Sequence, residues 1–440
     1  MAHYCFTLIV SLLLLSSGPA LAVTLDPVVR LLSSDGSDPF FGLDSAIDGT
    51  TAIIGGDSEG AVLVDLSSTI PVTSTLPTPP NPDGGAFGAS VAIDGQRALV
   101  STVGSFDPVT FERNSIGFVT LFDLSTPSPT AVATLMASDG EIGDQFGRSL
   151  ALDGDTALIG ADGAGPGNGG AAYVFDLSGT TPTKTAILTP PANGSAGDFG
   201  ADVALDGQLA VVGADEIRSP DGNSQAALFD LSTAPPTRFP PLGPDTVSSN
   251  SPVATEAGIA VFGSANDSSG AFTVIDTTVD PGDPGFDRRI APMIPDGDQF
   301  FVEAVAISDG VILVGGSGFG RDAGAAFIFD AITGAELGRI DAPNGATEEN
   351  FGYQVSLSGN LALISALGRR TADGPGPGVV YVYDISNITA PVPLPPSALL
   401  VLGATGTLMV ARRWTLRPEA TPPLMTGRLG LGVHAADVLK

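Results

Sequence analysis

The fold is decided by the stretch Phe146-Gly147-Arg148-Ser149-Leu150-Ala151-Leu152-Asp153-Gly154, close variants of which recur along the chain. Each copy continues with a second apolar segment and then a Gly-Ala pair that opens a third, as in Gly170-Ala171-Ala172-Tyr173-Val174-Phe175-Asp176. In the seven copies the position of Asp153 is occupied by Asp48, Asp94, Asp153, Asp206, Glu256, Ser308 and Ser358. These positions lie 46 to 59 residues apart, and a repeat of about fifty residues predicts a propeller or a solenoid.

Each repeat is predicted to form four β-strands. The first two meet at a turn that begins with Asp-Gly, as at Asp94-Gly95, and this pair is a hairpin signal because both central turn positions tolerate positive φ. The third strand is almost continuously apolar, which indicates burial on both faces, and the fourth precedes the next Phe-Gly, as Thr185-Ala186-Ile187-Leu188 does. No repeat has a sustained 3.6-residue apolar period, so we expect helices to be nearly absent.

The two ends of the repeat array distinguish a ring from an open solenoid. No fourth strand follows the seventh third strand, Val379-Val380-Tyr381-Val382-Tyr383-Asp384, whereas Val28-Val29-Arg30-Leu31-Leu32 has the character of a fourth strand without a repeat before it. If the N-terminal strand completes the last blade, the ring closes and that sheet edge is covered. We therefore predict an all-β fold over residues 23–390, a seven-bladed β-propeller of four-stranded blades closed by the N-terminal strand.

The Phe-Gly and Gly-Ala pairs resemble the FG-GAP repeats of integrin-α-type propellers over roughly residues 28–386. Two repeats depart from the pattern: Pro252-Val253-Ala254 has no Phe-Gly before it, and the sixth repeat has Phe300-Phe301 instead. The resemblance implies calcium loops of the D-x-D-x-D-G type in several blades. Here the Asp-Gly hairpins leave no room for such loops, so we expect no cofactor. Two acidic pairs can ligate calcium weakly or instead form turns, which Asp favours. They are Asp139 with Asp144 and Asp296 with Asp298. The recurring phenylalanines are predicted to pack between neighbouring blades, with glycine permitting close backbone approach.

Composition excludes most chemistry from the repeats. The 440 residues include 48 Asp and Glu against 18 Lys and Arg, a formal net charge of −30, which argues against nucleic-acid binding. The two histidines, His3 and His434, and the one cysteine, Cys5, lie at the chain ends. Ser-His-Asp and Cys-His nucleophiles and imidazole or thiolate zinc sites are therefore excluded between them, and we expect no enzymatic activity.

Residues 1–22 are interpreted as an export signal. The apolar segment from Cys5 to Leu15 has 11 residues, fewer than the ~20 of a membrane-spanning helix. Ala20 and Ala22 are the small residues of an A-x-A cleavage pattern, so we predict export and a mature start at Val23. The alternative is a buried apolar strand.

Residues 391–413 are interpreted as a sorting motif, a short transmembrane helix and a basic cluster. The 18 residues from Leu394 to Ala411 are marginal for a bilayer of ~30 Å, and they end at arginines. The arrangement closely resembles the Val-Pro-Leu-Pro variant of the PEP-CTERM sorting signals. The matching residues are Val392, Pro393, Leu394, Pro395, Arg412 and Arg413.

That resemblance implies processing by an exosortase, a membrane enzyme of Gram-negative bacteria that make extracellular polysaccharide, after transient anchoring in the inner membrane. A plain single-span anchor is the alternative, and both place the propeller outside the cytoplasmic membrane. Residues 414–440 are assigned to no domain; they are either a disordered extension or a reading-frame artefact.

The loops between the second and third strands are predicted to share a face with the segments that link successive blades. These loops vary most in length, and loops on a rigid scaffold commonly carry binding. We hypothesise that they bind an anionic or hydroxyl-rich polysaccharide through Arg113, Arg218, Arg321, Arg369 and Arg370. The alternative is ordinary solvated charge, neutralised by Asp215, Asp221, Asp322 and Asp373.

Three functions follow from these features. The first is an exported, non-enzymatic cell-surface or extracellular-matrix protein that mediates adhesion or association with polysaccharide in a biofilm. The second is a carbohydrate-active enzyme that uses paired carboxylates, although no Asp or Glu is expected to stand out from the repeat pattern. The third is a receptor-like propeller that binds a protein partner through its variable loops.

Overall fold

A computed structural model of the protein describes residues 25–57, 60–80, 85–104, 115–190, 198–214, 226–240, 252–264, 267–280, 283, 285–294, 300–317, 324–343, 350–368, 370–371 and 374–388. The chain separates into residues 1–391 and residues 392–440, and every described residue belongs to the first unit. Within the described residues all regular elements are β-strands. The predicted near absence of helices is thus confirmed for that part of the chain.

The strands form seven antiparallel four-stranded sheets, which are the blades of a propeller. Strand β1 (Val29–Leu31) belongs to the last blade. The first blade contains β2 (Ser45–Asp48), β3 (Thr51–Gly55), β4 (Ala61–Asp65) and β5 (Val72–Thr75). The second contains β6 (Ala86–Asp94), β7 (Arg97–Val103), β8 (Phe118–Asp123) and β9 (Thr130–Leu135). The third contains β10 (Leu150–Asp153), β11 (Thr156–Ala161), β12 (Ala171–Asp176) and β13 (Thr183–Leu188).

The remaining blades repeat this order. The fourth contains β14 (Val203–Asp206), β15 (Leu209–Val212), β16 (Ala227–Asp230) and β17 (Thr237–Arg238). The fifth contains β18 (Val253–Glu256), β19 (Ile259–Phe262), β20 (Phe272–Asp276) and β21 (Asp287–Ile290). The sixth contains β22 (Phe301–Ser308), β23 (Val311–Ser317), β24 (Ala325–Asp330) and β25 (Glu336–Asp341). The seventh contains β26 (Val355–Ser358), β27 (Leu361–Ala366) and β30 (Val379–Asp384), with a small hairpin of β28 (Arg370–Thr371) and β29 (Gly374–Pro375) in its loop.

The N-terminal strand completes the seventh blade, as predicted. That sheet has the order β1-β30-β27-β26, and Val29 pairs with Val382 while Leu31 pairs with Val380. The first strands of successive blades contact one another around the ring, including β26 against β2. The ring is therefore closed by pairing between the two ends of the repeat array.

The hairpins that follow the first strands form where predicted, but aspartate does not occupy a central turn position. Asp48 pairs with Thr51, so the turn in the first blade consists of Gly49-Thr50. Gly49 has a φ of 57°, whereas Thr50 has a negative φ. A positive φ at the first central residue alone is typical of a type II′ hairpin. The expectation that both residues of the Asp-Gly pair occupy central positions is wrong there. The aspartate is instead the last residue of the strand, and its carboxylate projects toward the next blade.

In the five repeats that contain it, the Phe-Gly pair lies at the start of the first strand. In the third blade the amide of Arg148 donates to the carbonyl of Gln145 at 3.0 Å, so Phe146 and Gly147 occupy the turn centre. Gly147 has a φ of 93°, the region that the third residue of a type II turn requires. The Phe146 ring is fully buried against the rings of Tyr173 and Phe175.

The Gly-Ala pair of one blade receives the Phe-Gly turn of the next. Gly170 forms a parallel bridge with Phe199, and a Cβ on Gly170 would lie 2.0 Å from the Phe199 carbonyl oxygen. The same burial holds for Phe41, Phe87, Phe146, Phe199 and Phe351, and Phe300 takes this place in the sixth repeat. The predicted packing of the recurring phenylalanines between blades is confirmed.

Candidate functional site

Most of the arginines that the sequence suggests as ligand contacts lie outside the residues that the structure describes. Arg113, Arg218, Arg321 and Arg369 lie outside the described residues, and Arg370 opens β28 with its side chain outside them. The cleavage residues Ala20 and Ala22 and the sorting residues Val392, Pro393, Leu394, Pro395, Arg412 and Arg413 also lie outside them. In the part of the chain that the structure describes, no helix is long and apolar enough to cross a membrane. These assignments remain predictions.

The loops between second and third strands do share a face with the segments that link the blades. The amide of Phe146, in the link to the third blade, donates to the carbonyl of Ile116 at 2.7 Å. At the ring closure the bond runs in the other direction: the amide of Gly378, in the loop, donates to the carbonyl of Asp38, in the link to the first blade, at 2.8 Å. We call this side of the ring the loop face. The opposite side carries the two-residue hairpins, and we call it the hairpin face.

A cavity of about 610 Å³ lies where the first strands of all seven blades meet. We call it the central channel. Because these strands start at the Phe-Gly turns, the first side chains of each strand lie at the loop-face end. The polar residues among them form the channel mouth, which consists of Asp44, Ser90, Arg148, Asp202, Glu303, Tyr353 and Gln354.

Asp44 connects three blades at the channel mouth. Its Oδ2 accepts hydrogen bonds from the Ser90 hydroxyl and the Val91 amide of the second blade, both at 2.8 Å. Its Oδ1 accepts from its neighbour Ser45 at 2.8 Å and from Nε2 of Gln354, in the seventh blade, at 2.7 Å. Burial raises the pKa of Asp44 although these four donors oppose the shift. Each oxygen of the Asp44 carboxylate accepts two hydrogen bonds, so both of its lone pairs are occupied.

Asp202 occupies the corresponding position in the fourth blade. Its Oδ1 accepts from the Val203 amide at 2.9 Å, and its Oδ2 accepts from the Val253 amide of the fifth blade at 2.7 Å. The pKa of Asp202 is raised to about 7. Burial is the largest cause and the charge of Asp44 adds to it, whereas the two amides and Arg148 oppose the shift. Asp202 therefore accepts two hydrogen bonds, whereas Asp44 accepts four.

The other titratable groups of the channel mouth are coupled to these carboxyls. Burial raises the pKa of Tyr353, an effect that Arg148 opposes and that Glu303 and Asp44 reinforce. Arg148 Nε lies 3.5 Å from Oδ2 of Asp162, a nearly fully buried side chain in the loop that follows β11. The mouth is therefore an acidic, electrostatically connected site with one guanidinium at its margin.

Below the mouth the channel wall consists of small and aliphatic side chains, with the hydroxyl groups of Thr255 and Ser356 among them. Alanine recurs at one position of the first strand in six blades, as Ala46, Ala92, Ala151, Ala204, Ala254 and Ala306, and all of them line the cavity. Small side chains at this position keep the channel open between the blades. The arrangement can hold a ligand that has a polar or charged end and an apolar body.

Acidic residues at the hairpin face have a different arrangement. Oδ2 of Asp94 accepts from the amide of Gly154 in the next blade at 2.7 Å. Equivalent bonds join Gly95 to Asp48, Gly207 to Asp153, Asp309 to Glu256, Gly359 to Ser308 and Gly49 to Ser358. These side chains therefore cap the hairpin of the neighbouring blade, including across the ring closure.

The candidate calcium residues make contacts of their own. Asp139 pairs with Lys184 Nζ at 2.9 Å, and Asp144 Oδ2 accepts from the amide of Glu141 at 2.8 Å, as a turn-forming residue does. Asp296 and Asp298 lie outside the described residues. Among the residues that the structure describes, no three His, Cys, Asp or Glu side chains gather so as to hold a metal ion.

Sequence reasoning missed the channel mouth. The expectation that no acid stands out from the repeat pattern is wrong for Asp44 and Asp202, because burial raises the pKa of both carboxyls. The signal was present at the two positions after Phe-Gly, where polar residues differ between repeats while the rest of the strand stays apolar. A comparison of these positions across the seven repeats would have identified them as variable polar positions, although their meeting at one axis depends on closure of the ring.

Two stretches of the chain, residues 129–175 and 335–383, match the family model described as FG-GAP repeat. Each stretch runs from the outer strand of one blade through the first three strands of the next, and so contains one Phe-Gly turn and the glycine that precedes the third strand, Gly170 or Gly378. The comparison with curated proteins finds no match. The predicted FG-GAP repeats and the seven-bladed ring are confirmed.

Proposed function

We propose that this propeller of FG-GAP repeats is an exported, non-enzymatic cell-surface or extracellular-matrix protein that holds a polysaccharide or a surface protein on its loop face. A ring of such repeats suggests a surface or protein-binding role. Adhesion or biofilm association is the specific form of that role that we propose.

The difference between the two faces supports this proposal most directly. All seven hairpins consist of two residues, and in six of them an amide is capped by a side chain of the preceding blade. The loop face instead carries loops of unequal length, from the five residues between β3 and β4 to the fourteen between β7 and β8. Variable loops on a rigid ring are the usual location of binding residues.

Charge favours the loop face as the binding surface for an anionic or hydroxyl-rich polymer. Residues 23–391 contain 46 acidic and only 13 basic residues, and five of these 13 lie in the loops between second and third strands. Arginine donates paired hydrogen bonds to carboxylates, phosphates and hydroxyl oxygens. A cluster of arginines on an otherwise acidic ring would therefore select the polymer and orient it.

The test is retention of extracellular polysaccharide by the full-length protein carrying Arg218→Gln, Arg321→Gln and Arg369→Gln together. We expect at least a tenfold loss of retention. The control carries Arg30→Gln, Arg97→Gln and Arg288→Gln, which remove the same charge from an outer strand and the hairpin face, and it should retain the polymer. Equal retention by both triple variants would refute the arginine site, and retention of a surface protein instead would favour the receptor-like function.

Export and sorting form the second part of the proposal. An exosortase-type enzyme would act at the Val-Pro-Leu-Pro motif after the segment 394–411 has anchored the chain in the inner membrane of a Gram-negative bacterium. Mass spectrometry of the protein from the producing cells should show a start at Val23 and loss of residues beyond Pro395. A C-terminus at Lys440 on the mature protein would contradict the sorting step.

The enzymatic alternative is tested in the same preparation. A carbohydrate-active enzyme that used paired carboxylates would release shorter saccharides from the retained polymer. We expect binding without product, and release of product that is lost on Asp202→Asn would establish the enzyme instead.

A further inference from the structure

We propose that two copies of this chain pair through strand β5, the outer strand of the first blade, so that their first blades form one continuous antiparallel sheet. The surface lies on the rim of the ring, away from the arginine loops and the channel, and the inference does not rest on the proposed function. It follows from the protection of the other outer strands, the direction of the β5 amides and the distribution of charge.

Strand β5 lacks the protection that the other outer strands have. The outer strand of a blade has one unpaired edge, which can add a strand from another chain unless charged side chains or bulges prevent it. Charged residues occur in β1, β13, β17, β21 and β25, and a bulge interrupts the pairing of β9 with β8. Val72-Thr73-Ser74-Thr75 of β5 has no charge, and its register against β4 is unbroken.

The β5 edge is exposed and ordered. Within the described residues β5 is the last strand of its sheet, and all four of its side chains are exposed. In the turn before it, the amide of Ser67 donates to Asp65 at 2.8 Å, and the Ser68 hydroxyl donates to the carbonyl of Ile70 at 2.7 Å. Ile70 is 79% exposed and Val72 is 64% exposed. The strand is therefore a preformed surface, which lowers the entropic cost of binding.

The hydrogen bonds of the first blade determine which β5 amides point outward. The amide of Leu76 donates to the carbonyl of Ala61, in β4, at 2.8 Å. Because hydrogen-bonded and non-hydrogen-bonded positions alternate along an antiparallel pair, the Ser74 amide also points toward β4. Thr73 and Thr75 direct their N–H and C=O groups away from the blade, where they can pair with a further strand.

Prolines end this outward ladder on both sides and thereby set its register. The next outward positions are Pro71 and Pro77, which have no amide hydrogen. The outward donors, Thr73 and Thr75, are symmetric about Ser74. With a two-fold axis at Ser74, Thr73 exchanges N–H···O bonds with Thr75 of the second copy. Ser74 then faces Ser74 of the second copy, with Cα atoms ~4.5 Å apart. One partner uses every outward amide of the strand, so the assembly closes as a dimer.

Charge favours a second copy as the occupant of this edge. Residues 23–391 contain 46 acidic and 13 basic residues, so two copies repel each other over most of their surfaces. Residues 66–82 contain no charged residue. A two-fold axis places a strand against itself, where any charge would face its like, so an uncharged strand is the one that suits self-pairing. The same register places Val72 opposite Leu76 of the second copy, which covers an exposed apolar side chain.

The experiment is sedimentation velocity of the full-length protein at ~0.15 M salt, where repulsion between distant charges is screened. We expect a monomer–dimer equilibrium with a Kd on the order of 10 µM, since a single strand pair is a small interface. Ser74→Lys and Ser74→Glu should each weaken the dimer at least tenfold, because like charges then face each other. An equimolar mixture of the two variants should dimerise at least as tightly as the wild type.

Thr183→Lys is the matched control, because Thr183 is an exposed threonine of the outer strand β13, and this variant should dimerise like the wild type. The two Ser74 variants change the net charge in opposite directions, so a loss in both reports the pairing and not the overall charge. Recovery in the mixture shows that both variants are folded. A wild type that stays monomeric at ten times the expected Kd, a dimer unaffected by both Ser74 variants, or a mixture that does not recover would each overturn the proposal.

Discussion

The two ends of the first strands use acidic side chains in opposite ways. At the hairpin face the position of Asp94 is acidic in five repeats and serine in two, and in six of the seven repeats its side chain caps the next hairpin. At the channel mouth the residues differ from blade to blade: the position of Asp44 and Asp202 holds serine, proline, alanine or glutamine in the other blades, and Glu303 lies one residue earlier in its repeat.

This difference shows how to separate structure from candidate function inside a repeat protein. A side chain needed to join one blade to the next recurs in each repeat, because every junction has the same geometry. A side chain that meets a ligand on the axis need occur only once. Among the acids of the first strands, Asp202 breaks the sevenfold pattern and is a candidate for binding, whereas Asp44 breaks the pattern but joins three blades.

The largest expected effect is a loss of stability when the buried phenylalanine of a Phe-Gly pair is replaced. Phe41→Ala should lower the free energy of unfolding by about 3–5 kcal/mol, because the ring is 1% exposed between the first and last blades. Phe40→Ala is the matched control: this neighbouring ring is 45% exposed, and we expect a loss below about 1 kcal/mol. Urea denaturation measures both, and equal losses would show that the Phe-Gly turn is not a blade junction.

The hairpin caps should be equivalent to one another. Asp48→Ala, Asp94→Ala and Asp153→Ala each remove one acceptor from a neighbouring glycine amide, so each should cost about 1 kcal/mol. The corresponding asparagine variants keep an acceptor oxygen and should recover most of the loss. Thermal unfolding is the measurement, and a spread among the three sites larger than the effect itself would break the comparison between the two ends.

Asp202 should make stability fall as the pH rises. Its folded pKa of about 7 lies above the ~3.9 of an unfolded aspartate, so the folded protein binds more protons between these values and loses stability toward pH 7. Relative to Asp202→Asn, the wild type should lose about 2 kcal/mol from pH 5 to pH 7, less than the ~2.7 kcal/mol of one full proton over two pH units. Urea denaturation at both pH values tests this, and a difference that grows with pH would reverse the sign.

The smallest effect concerns Arg148. Its charge lowers the pKa of Asp202, so Arg148→Gln should raise that pKa above about 7. Arg97→Gln, which removes a guanidinium paired with Asp155 at the hairpin face, should leave it unchanged. Carboxyl ¹³C NMR titration of Asp202 provides the measurement, and a fall in the pKa on Arg148→Gln would contradict the coupling across the mouth.

Much of the fold was predictable because the determinants of each blade are local. The Phe-Gly turn, the two-residue hairpin and the apolar third strand occupy one repeat each, so a single repeat shows them and seven repeats confirm the pattern. The closing strand was predictable because Val29 to Leu31 has the character of an outer strand and the seventh repeat lacks one. The exact role of the hairpin aspartate was not predictable in this way, since its partner amide lies about fifty residues further along the chain.

The sequence by itself determined the number of blades, the order of strands, the closure of the ring and the burial of the recurring phenylalanines. These properties depend on periodic patterns of apolar residues, glycine and turn residues that short-range geometry translates directly into strands. Only the tertiary structure decided that Asp44, Arg148, Asp202, Glu303 and Tyr353 share one cavity and that two carboxyls there are difficult to ionise. These residues are far apart in the chain, and they meet because closure of the ring brings equivalent positions of all blades to one axis, where burial changes their chemistry.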